Sequence, residues 1–259
     1  MKKTYIGLTC LLLLALALFV ALSFYGDSLE RWHIKTGSFA RVLIGDTTHR
    51  QRTPSSATAS TRAVSQAPGQ DFSQTVDTAR KSILFIGDSM LEGLGPRLAA
   101  YAEENGHTLV NVIWYSSTTE VWGRTEKLKE YIAEYQPDYI FVSLGGNELF
   151  VSNIRDRRQK YLDNMLSQIG DIPFVWIGPP NWKPDTGINE MLAETLRPGQ
   201  FYLSYTPDQH YDRARDGAHP TRASASAWMD RVCAWVMKSA AHRIVLHRPK
   251  AARATCHTV

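Results

Sequence analysis

From Ser82 onward, short apolar runs alternate with stretches whose apolar residues recur every three or four positions, and this alternation limits the fold more than any other feature. The run Ser82-Ile83-Leu84-Phe85-Ile86 stops at Gly87, and Met90 to Glu104 then carries Leu91, Leu94, Leu98 and Tyr101 along one helical face. The same pairing recurs three times: Leu109–Trp114 with Thr125–Tyr135, Tyr139–Leu144 with Arg155–Ile169, and Pro173–Ile177 with Ile188–Leu196. A fifth strand over Phe201–Ser204 and a last helix over Ala223–Lys238 complete the pattern. Apolar strands separated by amphipathic helices predict an α/β domain with a parallel sheet of about five strands, covered on both faces. In such a sheet the functional loops lie at the carboxyl ends of the strands. The whole chain, with 44% hydrophobic and 21% charged residues, has a composition ordinary for a globular α/β protein.

The amino end reads differently. No residue between Lys3 and Asp27 is charged, and Tyr5–Tyr25 matches the roughly 20 residues that a bilayer core requires. Lys2 and Lys3 precede this run, while Asp27 and Glu30 follow it, so the charge bias directs the rest of the chain outward. A cleaved signal peptide, with Ala21-Leu22-Ser23 as a cleavage site, is the competing reading. The apolar core is longer than the roughly 7 to 15 residues of such peptides, which favours an uncleaved anchor. The expected layout is a transmembrane helix over residues 1–26, a juxtamembrane segment and Ser/Thr/Pro-rich linker over 27–80, a domain over 81–240, and a basic tail over 241–259. The localisation expected is a bacterial inner membrane with the domain in the periplasm, or secretion to the periplasm after cleavage.

The net charge of +4 does not make a nucleic-acid binder. Arg243, Arg248, Lys250 and Arg253 lie in the tail, which has no acid, and the remainder carries 25 residues of each sign. The tail reads as a solvated or membrane-facing end. Cys10, Cys233 and Cys256 are too few for a disulfide framework. Cys233 shares a helical stripe with Met229 and Val236, which favours a buried free thiol over a bridge to Cys256.

Three strand-end motifs carry chemistry. Gly87-Asp88-Ser89 follows the first strand, presenting a serine hydroxyl, and the Ser89 N–H, at the start of a helix. Gly145-Gly146-Asn147-Glu148 follows the third strand, where the Asn147 amide can donate to a developing oxyanion. Asp216-Gly217-Ala218-His219 precedes the last helix; an Asp three residues before a His can orient one imidazole nitrogen while the other faces a serine. Singly these are a helix cap, a turn former and a solvated loop. Together they form a nucleophile, a base, an orienter and an oxyanion donor at one sheet edge.

Gly87-Asp88-Ser89, Gly145-x-Asn147 and Asp216-x-x-His219-Pro220 resemble the first, third and fifth sequence blocks of the SGNH (GDSL) hydrolase superfamily, over Lys81 to about Lys238. The resemblance implies a flavodoxin-like three-layer sandwich and ester hydrolysis or acyl transfer with no metal or cofactor. It makes Ser89 the nucleophile, His219 the base and Asp216 its orienter. It forms the oxyanion hole from Asn147 and a backbone N–H of the second block. That block, Trp114 to Thr119, lacks the usual glycine, and Ser117 is the position aligned to it, give or take one residue. Glu148 replaces the usual Asp and reads as structural. Gly26-Asp27-Ser28 repeats the first motif by coincidence, since it follows the apolar run and not a sheet strand.

Aromatic residues also follow the strands: Trp114, Tyr115 and Trp122 after the second, Trp182 after the fourth. Trp114 and Trp182 are candidates for substrate contact, with rim packing as the alternative. Trp176, Trp228 and Trp235 read as core. The function expected is a serine esterase that removes a small acyl group, foremost acetyl, from a cell-envelope carbohydrate. An O-acetyltransferase and a non-catalytic glycan-binding domain are the alternatives.

Overall fold

The computed structural model describes residues 75–250. The anchor, most of the linker, Ser28, Cys10 and Cys256 lie outside the described residues, and among the described residues no helix is long and apolar enough to cross a membrane.

Five strands, β1 (Ser82–Gly87), β2 (Thr108–Ile113), β3 (Tyr139–Ser143), β4 (Phe174–Ile177) and β5 (Phe201–Tyr202), form one sheet in the order β2-β1-β3-β4-β5. Every pairing is parallel. The helices are α1 (Leu91–Asn105), α2 (Thr119–Gly123), α3 (Lys127–Tyr135), α4 (Ile154–Ile169), α5 (Ile188–Thr195) and α6 (Arg222–Ser239). This is the flavodoxin-like strand order, in which the direction of winding reverses between β1 and β3 and opens a crevice beyond their carboxyl ends.

Strand alternation builds two cores. Ile83, Phe85, Tyr139, Phe141, Val175 and Ile177 face α1 and α6, meeting Leu91, Leu94, Leu98, Trp228, Met229, Val232 and Val236. Leu84, Ile86, Ile140, Val142, Phe174 and Trp176 face the other way, onto Leu128 of α3, Leu162 and Met165 of α4, and Met191 and Leu192 of α5. The central strands β1, β3 and β4 are therefore buried on both faces, which is why their sequences read as continuous apolar runs. Cys233 is a buried free thiol within the first core. Trp176 and Trp228 are fully buried, and Trp235 packs against the first core while partly exposed.

Two departures from the sequence reading have clear causes. Helix α2 was not anticipated: it has five residues, too few for a periodicity, and depends on Thr118, whose Oγ1 accepts the Val121 N–H at 3.2 Å. The tail, expected to be a solvated or membrane-facing end, instead packs on the domain as far as residue 250. Ile244 and Leu246 are each 2% exposed, and Ile244 bridges Asp77 in parallel fashion. The Asp77 N–H donates to the Arg243 carbonyl at 2.8 Å and the Val245 N–H to the Asp77 carbonyl at 2.9 Å. His107 fastens the same seam, accepting the Lys81 N–H on Nδ1 and donating from Nε2 to the Val245 carbonyl. The basic residues on this segment masked two apolar side chains whose burial is worth about 1.5–3 kcal/mol each.

Candidate active site

The crevice between β1 and β3 begins with a glycine that no other residue can replace. A Cβ at Gly87 would lie 2.3 Å from the Ser143 carbonyl oxygen and 2.4 Å from Leu91 Cδ1, so the strand end and the helix start can close together only without a side chain. The chain then turns. Asp88 Oδ1 accepts the Met90 N–H at 2.9 Å, while the carbonyls of Asp88 and Ser89 accept from Leu91 and Glu92. This turn leaves Ser89 half-buried ahead of α1, and its N–H engages no acceptor among the described residues.

His219 reaches Ser89 from a closed loop that precedes α6. The Ala214 N–H donates to the His219 carbonyl at 2.8 Å and the Thr221 N–H to the Asp212 carbonyl at 2.7 Å, pinching the loop at its base. His219 Nε2 lies 2.7 Å from Ser89 Oγ, and His219 Nδ1 lies 2.7 Å from Asp216 Oδ2. The other carboxylate oxygen, Asp216 Oδ1, accepts the N–H groups of Ala218 at 2.9 Å and His219 at 3.0 Å. These bonds, the His219 N–H foremost, hold the Asp216 carboxyl down at about 2. An ionised Asp216 on Nδ1 requires the proton there, so neutral His219 presents a bare Nε2 to the serine hydroxyl.

The third motif supplies the far wall. Gly145 has φ 121°, which brings the loop round so that Asn147 follows β3 on a single turn of 3₁₀ helix over Gly146–Glu148. Asn147 Nδ2 donates to the Ser117 carbonyl at 3.0 Å and to Asp88 Oδ2 at 3.2 Å. Asp88 is 1% exposed, and burial pushes its carboxyl up to about 7 against the Met90 N–H, with buried Glu148 adding to the rise. Glu148 is structural, as its position suggested. Fully buried, it accepts the Thr119 N–H and hydroxyl at 3.0 and 2.7 Å and the Arg158 Nε at 2.8 Å, locking the second-block loop to α4.

Two sequence expectations need correction. Ser117 is not free to supply an oxyanion donor: its N–H donates to the Trp114 carbonyl at 3.1 Å, its hydroxyl accepts from Trp122 Nε1, and the residue is 1% exposed. The neighbouring Ser116 is exposed, has φ 57°, and its N–H meets no acceptor among the described residues. Ser116 thus holds the left-handed conformation that glycine adopts without strain.

The aromatic rim also differs. Trp122 is fully buried, and Trp114 packs edge-on against it at 5.3 Å. Trp182 packs against both cores and donates from Nε1 to the Gly146 carbonyl at 2.9 Å, with the Lys183 ammonium 4.6 Å from its ring. Trp114 and Trp182 are therefore both partly buried, each ring already engaged within the domain. The exposed rings among the described residues are Tyr115, whose hydroxyl donates to Glu92 at 2.6 Å, Phe150, edge-on to Trp182 at 6.5 Å, and Tyr205 beyond β5. Phe150 was overlooked, although an aromatic three residues after Asn147 in a turn sequence was a readable sign. A cleft of about 510 Å³ lies elsewhere, near Asp171, Arg197 and His242 at the amino ends of β4 and β5, with no serine or cysteine in its lining.

No family model matches the chain, and no curated protein sequence does so. Several solved structures share its outline. A lipase/acylhydrolase from Enterococcus faecalis is 21% identical with a TM-score of 0.45, covering 60% of this chain and 95% of that one. A psychrotrophic esterase from Pseudoalteromonas sp. is 16% identical with a TM-score of 0.43, covering 58% and 93%. A family 3 carbohydrate esterase from Clostridium thermocellum is 16% identical with a TM-score of 0.42, covering 59% and 92%. Likenesses this distant carry no weight for function, so the chemistry rests on the residues around Ser89.

Proposed function

We propose that the domain is a serine esterase of the SGNH type, acting through an acyl-enzyme on Ser89. The observation that carries this reading is the unbroken chain Ser89 Oγ, His219 Nε2, His219 Nδ1, Asp216 Oδ2, with both contacts at 2.7 Å. A non-catalytic binding domain has no use for such a chain. As Ser89 Oγ attacks an ester carbonyl, its proton passes to His219 Nε2 and the carbonyl oxygen becomes anionic. The Ser89 N–H meets that charge, joined by the Asn147 amide as it gives up its longer bond to Asp88, and by Ser116 in the role expected of Ser117. His219 then protonates the departing alcohol, activates a water, and the acid leaves Ser89.

The substrate class proposed is an acetylated cell-envelope carbohydrate, cleaved outside a membrane to which residues 1–26 hold the chain. The uncharged run Tyr5–Tyr25 behind Lys2 and Lys3 supports the location, and the exposed rings of Tyr115 and Phe150 beside the oxyanion loops support a sugar ligand. The full chain should release one acetate per ester consumed from an activated acetyl ester and from acetylated glycans, with or without a sugar acceptor. Acetylated acceptor as the main product would replace hydrolysis by transfer; no turnover of any ester would defeat the reading. A reporter fused after Val259 should be active in the periplasm and fractionate with membranes, whereas cytoplasmic activity would defeat the location.

A further inference from the structure

Arg213 is a cation without a carboxylate. It forms no ion pair among the described residues, although Asp212 and Asp216 are close in sequence. Its guanidinium instead gathers carbonyls from two loops. Nη1 donates to the Ala218 carbonyl at 2.8 Å, next to His219, and Nη2 donates to the carbonyls of Pro180 and of Asn181, the latter at 3.1 Å. Its flat face lies 5.4 Å from the Tyr211 ring, and the backbone of Arg213 bridges Pro220 across the base of the His219 loop. Half-buried, the guanidinium donates its hydrogen bonds to neutral carbonyls only, with the Asp216 charge acting on it through space, and burial lowers its affinity for its proton.

The two loops have different tasks. One carries Asp216 and His219. The other, Pro179 to Trp182, runs from β4 to the Trp182 ring, which is fixed on the Gly146 carbonyl beside Asn147. We propose that Arg213 is a positioning residue that ties the loop of the base to the loop after β4, keeping His219 in register with Ser89 and with the oxyanion wall. The fork geometry suits this role: a planar guanidinium can serve two loops at fixed angles, whereas an ammonium on a flexible stem holds one carbonyl at a time. This inference rests on the esterase reading, because it acts through His219.

The test is a double-mutant cycle in the full chain with 4-nitrophenyl acetate. Arg213→Gln should lower kcat by about 10- to 100-fold, the cost of misplacing a catalytic group by about 1 Å, with KM changed less than about twofold. In a His219→Ala background the same substitution should have no further effect, since there is no base left to misplace. Arg213→Lys should fall between wild type and Arg213→Gln with an unchanged melting temperature, and it decides the matter if Arg213→Gln does not fold. Wild-type kcat in Arg213→Lys and Arg213→Gln, a change in KM alone, or an equal loss in the His219→Ala background would overturn the proposal. Absence of His219-dependent turnover in the wild type would overturn the esterase reading instead.

Discussion

Replacing Asp216 by Asn changes one atom and should cost about three orders of magnitude in rate. The two N–H groups that point at Asp216 Oδ1, from Ala218 and His219, dictate how an Asn would sit: its carbonyl oxygen must take their place, leaving its NH2 towards His219 Nδ1. The imidazole then accepts on Nδ1 and carries its proton on Nε2, facing Ser89 with no lone pair. Turning the amide round would set an NH2 against both backbone donors and lose both hydrogen bonds, so the competent arrangement is a minor one. A second loss arises in the transition state, where imidazolium forms without its carboxylate, screened in part because the Asp216 side chain is 51% exposed. Together these should lower kcat/KM by about 10³. The loop keeps both of its N–H bonds, so the melting temperature should change little. Hydrolysis of an activated acetyl ester, measured with thermal unfolding of the same sample, is the assay. A variant within tenfold of wild type would refute the reasoning. Acid should not mimic the mutation near neutrality: with Asp216 at about 2 in the fold against 3.8 normally, its stabilising bonds persist above pH 4 and fade only as pH falls from about 4 towards 2.

Asn147→Ala should lower kcat by about 10² to 10³ with little change in KM, and a change in KM alone would mark Asn147 as a ground-state contact. Glu148→Ala leaves the Arg158 guanidinium, with an exposure of 14%, to its remaining partner Glu120, and should cost about 3–5 kcal/mol in denaturant unfolding; a loss below about 1 kcal/mol would show that the buried carboxylate does not hold the second-block loop. Asp88, raised from 3.8 to about 7 by burial, binds its proton more tightly folded than unfolded, so wild-type stability should fall as pH rises between these values, by up to about 1.4 kcal/mol per unit. Asp88→Asn should flatten that slope, leaving only what buried Glu148 adds, and parallel stability curves for the two proteins would exclude Asp88 as the titrating group.

The sheet was readable because its central strands are buried on both faces and every long helix on one, so hydrophobic periodicity and burial coincide. Element ends agree to within about two residues. That Ser89, Asp216 and His219 meet, with Asn147 on the adjoining loop beside Asp88, was readable for a related reason: loops at the carboxyl ends of strands converge, and those ends are marked by glycines such as Gly87 and Gly145. What failed depended on single backbone torsions or on long-range packing. Whether Ser116 or Ser117 frees its N–H turns on one residue at φ 57° in a serine pair. Trp114 and Trp182 lie at strand ends as expected; that their partly buried rings also pack on Trp122 and on the cores is something no local pattern reveals. Ile244 and Leu246 looked solvated among arginines and histidines because their partners lie at Asp77 and His107, more than a hundred residues away in the chain.

Covalent labelling with a fluorophosphonate, which reacts only with an activated serine, tests the central claim most directly. The full chain should take up one equivalent, mapped by peptide mass spectrometry to Ser89, with loss of ester turnover in step with labelling. Ser89→Ala should take up none, and His219→Ala should react slower by about 10³ or more, since the hydroxyl then keeps its proton. Label on any other residue, or ester turnover that survives full modification of Ser89, would contradict the account.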